Sequence, residues 1–291
     1  MVRDYYNELT LRLETRGQAK AIVDVIFRVY DDGIALRYHF VENWSSDESL
    51  VSELTEFNFA TEYSVYSPRN EQAPEGPIKL SEFEHSNWAP ILLQSPNGLS
   101  LSLTEAALDN FSPLQLSKSK GGKYAIKADI TESTIPESKQ SPWRVLMVQN
   151  TIGGLLTSNL LTNLNPPNKL ADTQWIKPGK AMWDWRVHGA NYDGFTYGLD
   201  TASHKRFIEF SGANNIQYFL IDANWYGPEH EVSSNPLTHI PAVDIHQLLA
   251  SGVKNNVQLI LYINAAAFVN HDIDEVFSTY HKWGVAGVKV G

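Results

Sequence analysis

At 291 residues the chain has room for one large domain or two of ordinary size, and its 43% apolar content is enough for real cores. A net charge of −10 with no visible basic patch excludes nucleic acid as a partner, since phosphate contacts need one. A cysteine count of 0 excludes disulfides, thiolate metal sites and cysteine nucleophiles.

No apolar run reaches the roughly 18 residues that a membrane span needs, and Met1 to Leu13 is polar and charged, unlike a signal peptide. The chain carries Trp 8, Tyr 13 and Phe 12 against only 19% charged residues. That mix suits carbohydrate binding, because sugar rings stack on aromatic faces; the same rings also fill β-sandwich cores.

From about residue 8 to 150 the pattern is all-β. Leu9–Glu14 alternates, and Ala21–Tyr30 is a longer alternating run. Asp31-Asp32-Gly33 follows at once and predicts a hairpin returning through Ile34–Phe40. Further short strands are predicted at Ser52–Phe57, Ala89–Gln94, Leu99–Leu103, Lys123–Ile130 and Trp143–Gln149, with a turn at Pro96-Asn97-Gly98. Ser67–Pro74 carries two prolines and no periodicity, which predicts an irregular loop. Many short strands with no convincing long helix predict a sandwich.

Gly154–Leu164 fits a short helix or a crossing segment, and Asn165-Pro166-Pro167-Asn168 then stops any helix. The chain therefore divides into a β-sandwich domain over 1–164, a linker over 165–177 and a second domain over 178–291. In that last part apolar strands alternate with helices. The strands are Ala181–Trp185, Ile216–Asp222, Gln258–Asn264 and Val285–Gly291; the helices are Asp200–Asn214, Val243–Val253 and Ile273–Trp283. Strand–helix alternation means a parallel sheet covered by helices, and four strands are half of a (β/α)₈ TIM barrel. A chain that stops within its fourth strand is expected to be a fragment of a longer protein.

In such folds chemistry gathers at the C-terminal ends of the strands. Those ends carry Asp184, Trp185, Asp222, Asn224, Trp225 and Asn264. Asp222, Asn224, Trp225 and Asn264 are the candidate sugar-binding residues, through hydrogen bonds and stacking; the alternative is that Asp222 caps a turn and Trp225 shields the barrel top. The histidines, among them His230, His239, His246 and His271, show no metal-ligand spacing. Alone, Glu105 reads as an exposed carboxylate beyond a sandwich strand. Neither a phosphate-wrapping glycine loop nor a Gly-x-Ser-x-Gly elbow occurs.

Five stretches in order carry a resemblance: Tyr30–Tyr38, Thr104-Glu105-Ala106, Pro142-Trp143-Arg144, Trp175–Lys180 with Trp183-Asp184-Trp185, and Gly287-Val288-Lys289-Val290. Together they resemble glycoside hydrolase family 97, a family of α-glucosidases and α-galactosidases. The resemblance covers most of the chain and implies an N-terminal β-super-sandwich before the catalytic barrel. It implies an oligosaccharide substrate, a periplasmic or secreted location, and a Ca2+ ion held by barrel glutamates and one sandwich glutamate, matched here by Glu105. The family's retaining branch has an aspartate nucleophile where Gly291 stands, so the chain resembles the inverting α-glucosidase branch. The acid and base glutamates are then expected beyond Gly291, leaving no catalytic residue in this chain and the fragment itself inactive. The rival expectations are a retaining α-galactosidase and a non-catalytic carbohydrate-binding protein.

Overall fold

Period-two alternation builds the first part of the molecule. The structure is a computed structural model describing residues 3–16, 20–45, 49–50, 52–68, 73–84 and 86–291. It divides into two units, Met1–Lys169 and Leu170–Gly291.

The strands of the first unit are β1 (Asn7–Glu14), β2 (Ile22–Tyr30), β3 (Gly33–Glu42), β4 (Ser49–Leu50), β5 (Glu56–Asn58), β6 (Ser64–Ser67) and β7 (Glu75–Lys79). They continue with β8 (Asn87–Trp88), β9 (Ile91–Gln94), β10 (Ser100–Ala106), β11 (Gln115–Lys118), β12 (Ala125–Asp129), β13 (Ser133–Thr134) and β14 (Trp143–Gln149). One sheet runs β1-β2-β3-β14-β10-β9-β6-β7, a second runs β5-β12-β11-β8, and β13 pairs with β4. All pairings are antiparallel among the described residues. Alternation sends Leu101 and Leu103 of β10 into the core between the sheets, with Val65, Leu93, Leu116 and Ile126. It sends Trp143, Val145 and Met147 of β14 to the opposite face, where Leu160 and Leu164 cover them. Those two leucines lie on α2 (Leu160–Leu164), which follows the short helix α1 (Ile152–Thr157).

The fold is a β-sandwich, as expected, with several differences in detail. Residues 52–55 lie between β4 and β5 instead of forming a strand over Ser52–Phe57. The side chains of Glu53 and Thr55 are drawn into a polar network, described below. The short, polar strands β6, β7 and β11 carry too little alternation to stand out in sequence. Part of the Ser67–Pro74 loop lies outside the described residues. Gly33 is required by close approach: a Cβ there would stand 2.6 Å from the Leu146 carbonyl oxygen.

The second unit is a parallel sheet in the order β15-β18-β19-β20. Its strands are β15 (Ala181–Trp183), β18 (Tyr218–Ile221), β19 (Gln258–Ile263) and β20 (Gly287–Val290); its helices are α3 (Thr201–Ala213), α4 (Ile245–Asn255) and α5 (Ile273–Trp283). A hairpin, β16 (Asn191–Tyr192) with β17 (Phe195–Thr196), turns at Asp193-Gly194, an Asp-Gly signal the sequence reading passed over. Each helix starts on an aspartate whose carboxylate accepts a backbone N–H: Asp200 from Ser203, Asp244 from Gln247 and Asp272 from Glu275. α5 ends at Gly284, whose φ of 86° suits glycine. Phe219, Ile221, Leu259, Leu261 and Ile263 pack under Phe207, Ile208, Ile245, Leu248 and Val276. This is the partial α/β barrel that the alternation predicted, and the packing fixes which face each strand turns to its helices.

Candidate active site

Strand parity decides which polar residues can meet a ligand. The register pairs Trp183 with Leu220, Leu220 with Ile260, and Tyr262 with Lys289. Trp183, Asp222, Tyr262 and Lys289 therefore share the face opposite the helices. Lys289 is their hub. Its ammonium lies 2.9 Å from Asp222 Oδ1, 4.8 Å from the Trp183 ring centroid and 5.0 Å from that of Tyr262. The Tyr262 hydroxyl donates to Glu229 and accepts from Asn264 Nδ2 at 3.0 Å. Burial, together with the Glu229 carboxylate, pushes the Tyr262 phenol up to about 12, so it stays a donor. Beside this cluster Trp185 stacks on Trp183 with ring centroids 5.6 Å apart, leaving Trp185 46% exposed.

The residues singled out from sequence take different places. Asp222 belongs to the cluster. Asn224, at φ 70°, accepts the backbone N–H of Glu229 at 2.9 Å and so places that carboxylate. Asn264 caps the turn after β19 by accepting from the Ala266 N–H at 3.0 Å, and its amide steadies Tyr262. Trp225 is a correction: it is 0% exposed, and its indole N–H donates to the Tyr262 carbonyl at 2.7 Å, so it holds the wall and has no face for a sugar. Lys289, Glu229 and Tyr262 went unselected as site residues in the sequence. The signal for Lys289 was a lone cation within an apolar strand.

Asp184, one residue past Trp183, turns to the helix side. It is fully buried and accepts from the Asp222 N–H at 3.0 Å; the Nε2 atoms of His188 and His204 each lie 3.0 Å from its Oδ2. Burial alone would raise this carboxyl, but the His204 hydrogen bond and the other donors outweigh it and hold the pKa below the ordinary value. The three groups place possible ligand atoms within 4.8 Å of one another, a grouping that sequence spacing did not reveal. The second nitrogen of His204, Nδ1, is buried without a partner, so the ring proton shared with Asp184 is the one on Nε2. A metal on Nε2 would move that proton to Nδ1, where nothing accepts it, contrary to the usual outer partner of a metal-bound histidine. The cluster therefore ties β15 to α3 and β18.

In the sandwich, Glu105 sits opposite Arg144 across the β10–β14 ladder. Its oxygens accept from Arg144 Nη1 at 2.8 Å and from the Leu114 N–H at 2.9 Å. Arg144, with 0% side-chain exposure, also grips Glu53, with Nη2 at 2.6 Å, and Thr55 donates to the same carboxylate. Burial pushes the Glu105 carboxyl above its usual value, against these donors. A calcium ion takes about six to eight oxygen ligands. Here one carboxylate, both of whose oxygens already accept hydrogen bonds, lies against a buried guanidinium. By themselves these residues do not fit a calcium site.

Residues 1–167 match the family model described as Glycosyl-hydrolase 97 N-terminal, and residues 182–291 match Glycoside hydrolase 97. The chain is 27% identical to a retaining alpha-galactosidase of Bacteroides thetaiotaomicron, over 99% of this chain and 48% of the relative. It is 25% identical to a probable retaining alpha-galactosidase of Streptomyces bingchenggensis, over 96% of this chain and 44% of the relative. In fold it is similar to a Glycoside Hydrolase Family 97 enzyme from Pseudoalteromonas sp. strain K8 in complex with acarbose, with a TM-score of 0.80 and 23% identity over 100% of this chain and 47% of that one. A variant of that enzyme in complex with panose superposes at a TM-score of 0.79 with 23% identity, again over 100% and 47%. The chain thus spans about half the length of the relatives it matches.

Proposed function

This chain belongs to glycoside hydrolase family 97, and from that premise we propose that the full-length protein is an exo-acting α-glucosidase that cleaves oligosaccharides with inversion. The observation that carries inversion is Gly291. It follows β20, where the family's retaining branch carries its nucleophilic aspartate. Its N–H donates to the Ile263 carbonyl at 3.0 Å and its carbonyl accepts from the Ala265 N–H at 2.8 Å, so the backbone there is fixed. A Cβ at this position would lie 2.5 Å from Tyr262 Cε2 and 2.7 Å from its Cζ. Tyr262 is itself held by Glu229 and Asn264. A side chain at 291 would therefore require the held Tyr262 ring to shift.

Without a nucleophile, one carboxylate must activate water while another protonates the leaving oxygen. These are proposed to be glutamates in the portion of the relatives' length that this chain does not span, so the 291 residues alone should not turn over substrate. Within the chain, Asp222 accepts from and Lys289 donates to sugar hydroxyls, and the exposed Trp185 ring offers a stacking face. An oligosaccharide substrate is supported by the Pseudoalteromonas enzyme, which binds acarbose and, as a variant, panose.

The second reading, a retaining α-galactosidase, is favoured by the names of the two curated relatives. The family resemblance also supports a proposed calcium dependence, although Glu105, held by Arg144 and the Leu114 N–H, does not by itself supply that site, and a periplasmic or secreted location. The full-length protein should be assayed on nitrophenyl α-glucoside and α-galactoside, with and without a chelator. Preference for the glucoside, lost on chelation, is expected. Preference for the galactoside would overturn the substrate, and full activity under chelation would remove calcium from the proposal.

A further inference from the structure

Among the described residues the half-buried Arg37 guanidinium of the sandwich has no acidic partner. Ile26 pairs with Arg37 and Arg28 with Ala35, so both arginines project from the same face of neighbouring strands. Their guanidiniums stand over the Trp143 ring, 4.3 Å from its centroid for Arg37 and 4.9 Å for Arg28. Arg28 donates to Glu8 at 2.9 Å. Among the described residues Arg37 pairs with no carboxylate, and its Nε is buried with no acceptor. Burial and the charge of Arg28 both push the Arg37 pKa down, the signature of a cation short of counter-charge.

This face lines a cavity of about 660 Å³ that also includes Lys169, Gln140, Asn163 and Asn165. Asp109 is the one acid in that lining, against three cations. Trp143 is 1% exposed, so it serves as a rigid backing for the guanidiniums and not as a platform for a neutral sugar.

We propose that this cavity binds a small oxyanion, held by the free N–H groups of Arg37 with Lys169 as a second charge. A planar fork of donors matches a carboxylate or phosphate in a way an ammonium does not. The chemistry has two sources, a free inorganic anion and the carboxylate of an acidic sugar, whose hydroxyls Gln140 and the two asparagines would meet. The site is independent of the strand-end cluster and of the glycosidase reading.

The test is calorimetric titration of the full-length protein with inorganic phosphate, glucuronate and glucose at constant ionic strength. Binding of either anion is expected and should weaken in the Arg37 variants, whereas any heat from glucose, which the strand-end site would take, should be the same in wild type and variant. Tighter glucuronate binding identifies an acidic sugar, and tighter phosphate binding a free anion. Arg37→Met should weaken the bound anion about tenfold or more, as loss of a charge-assisted hydrogen bond implies. Arg37→Lys keeps the charge without the fork, and serves where the methionine variant does not fold. No heat from either anion with the wild-type protein, or unchanged affinity in a folded Arg37 variant, overturns the proposal.

Discussion

Asp184 and Asp222 end adjacent strands, yet one is locked in the core and the other faces the open side. Asp222 rests on Lys289, whose side chain is 41% exposed against 7% for the acid. Water screens such a pair, so Lys289→Met in the full-length protein should cost only about 1 kcal/mol in denaturant unfolding. It should lower kcat/KM far more than that, because a hydroxyl donor is gone. Asp184 behaves differently. Its folded pKa is depressed, so its contribution is fully present above the unfolded value near about 3.9 and is lost as pH falls through the lower folded value. The stability gap between the wild type and Asp184→Asn should be constant near neutrality and close below about pH 4 in acid unfolding curves. The tryptophans divide in the same way. Trp225→Ala should cost about 3–5 kcal/mol in thermal unfolding, whereas the exposed Trp185→Ala should leave stability nearly unchanged and raise KM.

Helices α3 and α4 meet where Gly212 passes Asn255. A Cβ on Gly212 would stand 2.6 Å from the Asn255 carbonyl oxygen and 3.0 Å from its Cβ. Gly212→Ala should therefore destabilise the α/β unit by about 1–3 kcal/mol in urea unfolding, despite the better helix propensity of alanine. In sequence, Gly212 lies near the end of the predicted helix Asp200–Asn214, and nothing there marks the contact. β15, only Ala181–Trp183, is shorter than the expected Ala181–Trp185, but β18, β19 and the three helices were legible because each is an apolar run or an amphipathic stretch with a capping aspartate before it. β6, β7 and β11 were not, being short and polar, with pairing set by distant strands. The site was half legible: strand ends pointed to Asp222 and Asn264. The inward turn of Trp225 and the meeting of Lys289 with Asp222, 67 residues apart, depend on parity and register, which only the assembled sheet supplies.

The molecule joins an antiparallel sandwich to half the strand count of a (β/α)₈ barrel, the order of domains in its family. In the proposed reading the chain supplies binding and orienting groups from its strand ends, and Gly291 leaves the end of β20 without a carboxylate. The proposed inversion rests on that one position. Proton NMR of the full-length protein acting on an α-glucoside, followed from the first turnovers, reads it directly. β-Glucose appearing before mutarotation is the expected result, and α-glucose appearing first would contradict inversion.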